Sequence, residues 1–467
     1  MQDAVSQNWT LDKLTTALKG LVLEVRGASG KLFTSITTDS REVSEGEVFV
    51  ALRGEKFDGH DHATEAARKG AGVLILEKPV EAECPEIIVR DTREAYGAIA
   101  RAWRSQFSIP LIAVVGSNGK TTTTQMIGSI LSAAVAPGES LCTEGNFNNE
   151  VGIPRMLLRL KPETRIAVIE AGMNHPGEMA RLANWVRPTV VVVTNAQREH
   201  QAYIDGVEES ARENGMMIVA LSAKGTAVLP LTDPSLKIWT NLARARGCSV
   251  LTYAANAEGS QVKVRREGTK LVIETPARTV ETTLAMPGAH VTHDAAAAAA
   301  AALSAGVDLE SIARGLANFR AVKGRGEMHH LSNGATLIDE SYNANPDSMR
   351  AAIDLLSSMS APRVLVAGEM GELGEKSAEY HAEVVRYAKT KGIEALFTTG
   401  EKMQEATDLF GASGIYFTTR DALTTALLEL IKSPCSILVK GSHYVGLQAV
   451  VSAVLEKYGP KDSQAEL

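Results

Sequence analysis

Val114-Val115-Gly116-Ser117-Asn118-Gly119-Lys120-Thr121-Thr122 is the stretch on which the fold turns. The apolar run before it, Leu111 to Val115, reads as a buried strand, and Gln125 to Val135 after it reads as a helix. A strand, a tight glycine turn and a helix N-terminus together make an anion site. Consecutive backbone N–H groups point outward there, and the helix dipole favours negative charge. Lys120 adds a mobile cation suited to β- and γ-phosphates, and Thr121 offers a hydroxyl for Mg2+. The combination points to ATP and phosphoryl chemistry. The common phosphate loop, G-x-x-x-x-G-K-[ST], would put a glycine at Val114; the spacing here is the shorter G-x-x-G-K-T, from Gly116 to Thr121. A lone Gly-Lys-Thr string is frequent in ordinary turns, so the strand before it and the helix after it are what select the nucleotide reading.

A chain of 467 residues has room for about three domains, each with its own core. Hydrophobic content of 45% and charged content of 22% place it among ordinary globular chains. A net charge of −7 argues against a nucleic-acid partner held by a general basic field, so substrate phosphates must be met locally. The cysteines, Cys84, Cys142, Cys248 and Cys435, are scattered without a C-x-x-C pair, as expected for incidental thiols in a reducing compartment. Met1-Gln2-Asp3 opens no basic-then-apolar leader. No apolar run approaches the roughly 18 residues of a membrane span. The expectation is a cytoplasmic chain without a membrane span.

Three blocks emerge: residues 1–107, 108–321 and 322–467. The first has strand-like runs at Leu21 to Val25, Val48 to Leu52, Val73 to Leu76 and Ile87 to Val89. The second continues from the phosphate loop with strands at Arg165 to Ile169 and Thr189 to Val193, and a helix from Gly177 to Val186. The third has strands at Arg363 to Val366, Ala395 to Thr398 and Ser436 to Val439. Strands alternating with helices imply parallel, doubly wound α/β sheets, whose ligands gather at the carboxyl ends of strands. The expected fold is therefore α/β in three domains: a central phosphate-loop sheet, a Rossmann-like C-terminal domain and a smaller N-terminal one. The eight alanines Ala295 to Ala302 read as a tightly packed helix, and Glu258 to Thr283 as an antiparallel flap.

Several polar residues sit where such sheets place their sites. Glu170 follows an apolar strand on the loop's edge and suits a Mg2+ ligand, a helix cap being the plainer reading. His200 follows a second such strand and suits metal or phosphate, although a lone histidine is more often structural. The amide-rich Thr143-Glu144-Gly145-Asn146-Phe147-Asn148-Asn149-Glu150 can bind phosphate or sugar oxygens, or be a simple turn. Asp339 and Glu340, read as lying after an apolar strand, can accept from ribose hydroxyls. Arg325, between the second and third blocks, can reach a transferring phosphoryl group, or stay a solvated surface residue. In the first block, Thr37-Thr38-Asp39-Ser40-Arg41 and Phe57-Asp58-Gly59-His60-Asp61 are either plain loops or holders of a second nucleotide.

Taken together, these strings resemble the Mur ligases of bacterial cell-wall synthesis, whose phosphate loop has the short spacing seen here. The matching strings are Thr38 to Arg41, Phe57 to Asp61, Gly145 to Asn149, and Asp339-Glu340-Ser341-Tyr342-Asn343-Ala344-Asn345-Pro346. Gly368 to Gly374 with Ser377 and His381 adds to them. The resemblance implies an ATP-dependent ligase that joins D-alanyl-D-alanine to UDP-N-acetylmuramoyl-tripeptide through an acyl phosphate. It implies ATP on Gly116, Ser117, Asn118, Gly119, Lys120, Thr121, Thr122, His290, Asp294, Arg325, Asp339 and Glu340. Mg2+ would lie among Thr121, Glu170 and His200, and the substrate on Ser40, Arg41, Asn146, Asn149, Tyr342, Asn343 and Asn345. Lys120, Glu170, His200 and Arg325 would carry the catalysis. A monomer is expected, with no nucleic-acid partner.

Three strings depart from the family pattern. Asn214 stands where many members carry a carbamylated lysine, so no carbamate is expected there. The adenine-side string, usually His-Asn-x-x-Asn, is His290-Val291-Thr292-His293-Asp294, with Asp294 as the substitute. The late Lys-Gly-Ser-Arg string ends instead in His443. The alternatives are a sibling ligase that adds a single amino acid, or glutamates to folate, and a nucleotide-binding relative without catalysis.

Overall fold

The apolar run Leu111–Val115 is a strand buried along its whole length, as a continuous hydrophobic run in a parallel sheet should be. In the computed structural model, which describes residues 7–54 and 56–459, it sits inside a nine-stranded sheet. The Met1-Gln2-Asp3 start lies outside the described residues. The strand order is Thr279–Thr283, Lys270–Glu274, Val262–Glu267, Ser249–Ala255, Thr226–Pro230, Val190–Val193, Leu111–Val115, Ile166–Glu170, Ser140–Cys142. All pairings are parallel except the two that join the first three strands listed, which form the expected antiparallel flap. Leu111–Val115 has Ile166–Glu170 on one side and Val190–Val193 on the other. The chain thus reverses its direction of travel across the sheet beside this strand, and such switch points are where open α/β sheets bind ligands.

The helix after the loop runs from Lys120 to Ala134, beginning five residues before the expected Gln125. Threonine is a weak helix former, which hid this first turn. Here Thr123 and Thr124 are fully buried, and packing overrides propensity. The alanine run lies within the helix Ala289–Ser304, and all eight are buried against the sheet. Apolar clusters cover both faces of the central sheet, as the doubly wound reading requires.

The first block holds five strands in the order Val22–Arg26, Glu86–Val89, Val73–Leu76, Val48–Val50, Ile36–Thr37. Its edge strand Val22–Arg26 runs antiparallel to Glu86–Val89, a departure from the all-parallel expectation. The third block holds six strands, Glu327–His330, Thr336–Glu340, Ser436–Lys440, Arg363–Gly368, Ala395–Thr399 and Gly414–Phe417, parallel except for the first pair. Among the described residues no helix is long and apolar enough to cross a membrane.

Candidate active site at the phosphate loop

Gly116 and Gly119 give the loop its curvature, with φ of +131° and +80°. Neither position has room for a side chain. A Cβ on Gly116 would lie 2.2 Å from Thr194 Oγ1, and one on Gly119 would lie 2.3 Å from Asp294 Oδ1. The N–H groups of Gly116, Ser117 and Asn118 donate to Asn214 Oδ1 (2.9 Å), the Asn195 carbonyl (3.1 Å) and Asn195 Oδ1 (2.9 Å). These three amides shape the loop. The anion donors are those of Gly119, Lys120, Thr121 and Thr122, which the start of a helix leaves without intrahelical partners. No acidic residue lies in that first turn to oppose an anion. Lys120 Nζ donates to the carbonyls of Gly116 (2.5 Å) and Ser117 (2.9 Å) and lies 3.2 Å from Glu199 Oε2.

Glu170 ends its strand on the same edge, 1% exposed. Its Oε1 accepts from Thr121 Oγ1 (3.1 Å) and Asn148 Nδ2 (2.7 Å), while its Oε2 is buried with no partner. A buried carboxylate oxygen without a donor, beside a threonine hydroxyl and a phosphate loop, fits a hard cation. Mg2+ is commonly held by one or two carboxylates plus substrate phosphates. Among the described residues no three His, Cys, Asp or Glu side chains converge into a metal cage. The structure does not bring His200 to Glu170 as its partner. Nδ1 of His200 instead meets Glu372 Oε2 of the third block at 2.5 Å, so Thr121 and Glu170 remain the paired members of the expected trio. Asn214, fully inside the protein, braces the loop: besides Gly116, it donates from Nδ2 to the Ser210 carbonyl (2.9 Å) and to Glu199 Oε1 (3.4 Å).

The third block supplies the opposite wall. Arg325 stacks over the Tyr342 ring at 4.0 Å, and the His443 ring packs against the same ring with centroids 5.4 Å apart. Asp339 and Glu340 are the last residues of their strand and do not follow it, and side chains alternate along a strand. Only Glu340 turns into the cleft. Asp339 is buried away from it and accepts from the Ser341 N–H, a correction to its ribose assignment. Burial pushes the Glu340 carboxyl up, but Lys440 at 3.1 Å and His290 at 4.0 Å more than offset this and hold it below the usual carboxylate range. Burial lowers the His290 imidazole, favouring its neutral form. Asp294 lies beneath Gly119, and burial lifts its carboxyl well above the ordinary value. Asn343 accepts from Lys440 through its carbonyl, and Asn345 caps the helix Pro346–Ser357 while pairing amide to amide with Asn118 (2.8 Å).

Asn146 and Asn149 border the same cleft, but the Asn149 side chain turns back to cap its own helix through the N–H groups of Val151 and Gly152. The amide that reaches Glu170 is that of Asn148. Ser40 and Arg41 stay outside the cleft. The Arg41 guanidinium is 85% exposed and grips Asp39, whose carboxyl it holds down at about 2. In the Phe57 to Asp61 string, Asp58 caps a short turn, His60 Nε2 accepts the Glu77 N–H at 2.8 Å, and the Phe57 ring is exposed. The cleft bounded by these groups holds about 1450 Å3, more than the roughly 300–1,000 Å3 of a single small-ligand pocket, so more than one substrate fits. Sequence reading assigned no role of their own to Asn148, Asn195, Gln197, Arg198, Glu199 and Lys440, although Asn148 and Lys440 lie in strings it singled out. The strand end Val193-Thr194-Asn195 was the available signal for the middle four, since it marks the same sheet edge.

Comparison with known proteins matches three family models along the chain. They are the Mur ligase family catalytic domain over residues 32–104, the Mur ligase middle domain over 114–302 and the Mur ligase glutamate ligase domain over 324–443. A UDP-N-acetylmuramoyl-tripeptide–D-alanyl-D-alanine ligase of Escherichia coli is 38% identical over 96% of this chain and 98% of its own. The crystal structure of MurF from Acinetobacter baumannii superposes with a TM-score of 0.88 at 31% identity, covering 96% of this chain and 99% of that one. That of MurF from Thermotoga maritima, in complex with ADP, has the same fold at 24% identity, with a TM-score of 0.79 over 91% of this chain and 97% of that one.

Proposed function

The chain belongs to the Mur ligase family, and from that premise we propose that it joins D-alanyl-D-alanine to the terminal carboxylate of UDP-N-acetylmuramoyl-tripeptide, driven by ATP. The products are ADP, phosphate and the UDP-linked pentapeptide precursor of peptidoglycan. The observation that carries this reading is the single sheet edge shared by a phosphate loop, its lysine and a carboxylate with one unpartnered oxygen.

A carboxylate is a poor acyl donor. One of its oxygens attacks the γ-phosphorus, the bond to the β–γ bridging oxygen breaks, and an acyl phosphate and ADP result. The neutral amine of the dipeptide then attacks the acyl carbon, loses its proton, and the tetrahedral intermediate expels phosphate. The N–H groups of Gly119 to Thr122 and the Lys120 ammonium hold the phosphate oxygens and offset charge as it shifts to ADP. Thr121 and Glu170 would hold Mg2+, which when bound adds Lewis-acid stabilisation to the same oxygens. Asn148 fixes Glu170 through one oxygen, leaving the second available to such a cation. No enzyme nucleophile is required.

In the same reading, residues 1–107 take the UDP part through Ser40 and Arg41, residues 108–321 bind ATP, and residues 322–467 bring Arg325 to the phosphates and Glu340 to the ribose. Tyr342, Asn343 and Asn345 line the way for the dipeptide. A monomer in the cytoplasm, where ATP and nucleotide-linked precursors are available, belongs to the same proposal.

The test is ADP release with UDP-N-acetylmuramoyl-tripeptide, with and without D-alanyl-D-alanine. The dipeptide should stimulate release, free D-alanine or glutamate should not, and Lys120→Ala should abolish it. Stimulation by a single amino acid instead of the dipeptide would sink the assignment.

A further inference from the structure

Beyond the strand Val190–Val193 the chain runs as an irregular strap, Asn195 to Ala202, between the phosphate loop and the third block. Its side chains reach both ways. On one side, Asn195 holds Asn118, Gln197 Oε1 accepts from Asn118 Nδ2 (2.6 Å), the Gln197 N–H donates to Ser117 Oγ (2.9 Å), and Glu199 meets Lys120. On the other, Arg198 reaches Asp347 and Glu383, His200 meets Glu372, and the Ala202 N–H donates to the Glu372 carbonyl (2.9 Å). The strap bends at Arg198 and again at His200, whose φ is +47°, and so grips two blocks at once.

Arg198 makes the firmest grip. Its guanidinium lies 2.6 Å from Asp347 Oδ1 and 2.7 Å from Glu383 Oε2, stacks over Tyr380, and is 21% exposed. Its own N–H donates to Asp347 Oδ2 at 2.9 Å, which pins the backbone from which Glu199 departs. Glu199 is buried and shares its other oxygen with Ser210 and Asn214, so it has little freedom to compensate for a shift in that backbone.

We propose that Arg198 is a positioning residue for the phosphate lysine: clamped to Asp347 and Glu383, it sets Glu199 and through it Lys120. Docking of the third block and alignment of the phosphate loop are then one event. The proposal rests on the ligase reading above and gives it an order. Phosphoryl transfer waits until the block that closes the cleft is in place, which shelters the acyl phosphate from water.

In the full-length protein, Arg198→Ala should lower kcat about 30-fold or more while KM for ATP stays within about threefold, the split that marks an interaction needed in the transition state. Asp347→Asn should produce a similar fall, and the double variant little more, because both act on one path. Arg350→Ala, which removes another partner of Glu383 without touching the strap, should stay within about threefold of the parent kcat. Arg198→Lys keeps the charge without the fork. It should recover thermal stability yet remain about tenfold or more down in kcat, covering the case in which the alanine variant folds poorly. A kcat within about threefold of the parent for Arg198→Ala, an equal loss in Arg350→Ala, or a KM for ATP that rises in step with the loss each overturns the proposal. Should the parent protein release no ADP, it is the ligase reading that fails. Small-angle scattering then decides the clamp alone: an expanded Arg198→Ala upholds it, and an unchanged radius of gyration overturns it.

Discussion

Asp294 places a carboxyl under a loop built to receive anions, and burial is what makes that tolerable. Burial raises its pKa well above the ordinary carboxyl value, so the group holds its proton to higher pH than an exposed aspartate and presents less negative charge to phosphate. The linkage has a definite sign. Below about pH 4 the folded and unfolded chains both hold the proton, and no stability is lost. Above that, the unfolded chain releases its proton while the folded chain keeps it, so stability falls by about 1.4 kcal/mol per pH unit until the raised folded value is passed. Asp294→Asn mimics the protonated carboxyl and removes this slope. Its melting temperature relative to the parent should climb as the pH rises above about 4; a constant difference would show that the fold does not raise the Asp294 pKa. Neighbouring residues show what the sequence left undetermined. Asp339 and Glu340 sit side by side on one strand, so only one can face the cleft, yet composition does not say which. Asn148 and Asn149 pose the same problem in a turn, where no period applies. For Glu199 the strand end before it marks only the sheet edge, since its partners Lys120 and Asn214 are supplied by tertiary folding.

At the scale of elements, the helix Lys120–Ala134 is set by what packs behind it. Its N-terminal turn forms the anion site, while Ile130 on its far half meets Gly315 of the helix Leu309–Asn318. A Cβ on Gly315 would lie 2.3 Å from Ile130 Cα, and the Gly315 carbonyl accepts from Ser129 Oγ at 2.7 Å. Glycine is unfavourable inside a helix by about 1 kcal/mol relative to alanine, so its presence here reflects the close crossing. Gly315→Ala should therefore destabilise, by about 1–3 kcal/mol, where propensity alone would have it stabilise. Because the displaced element carries Lys120 and Thr121, the KM for ATP should rise along with the drop in melting temperature. A stabilised variant with unchanged KM would contradict the crossing. The apolar runs made Leu111–Val115, Ile166–Glu170 and Val190–Val193 readable to within a residue, since continuous apolar runs have few other fates, whereas Ser140–Cys142, Thr226–Pro230 and Ser249–Ala255 of the same sheet went unread. The helix start at Lys120 escaped because burial of Thr123 and Thr124 is a property of the packed layer and not of the string.

Across the whole molecule, the two boundaries between blocks are chemically unlike. The first and central sheets share one apolar cluster running from Trp9 and Leu14 through Tyr96 and Trp103 to Trp185. Gly97 lies so close to Trp185 that a Cβ would come within 2.1 Å of its ring, and Trp103 Nε1 donates to the Leu160 carbonyl. The third block instead has clusters of its own and meets the centre through polar groups: Arg198 with Asp347 and Glu383, His200 with Glu372, Asn118 with Asn345. An apolar boundary behaves as one core, whereas a polar one resembles a transient interface and can open. A ligase that admits a large nucleotide-peptide, ATP and a dipeptide needs one boundary of each kind. Asp347→Asn should accordingly loosen only the second. By hydrogen exchange, residues 196–202 and 371–374 should lose protection in that variant, while 95–104 and 153–160 keep theirs. Equal loss across both boundaries would mean that the blocks unfold as one unit, and the polar contacts would then be structural ties instead of a clasp.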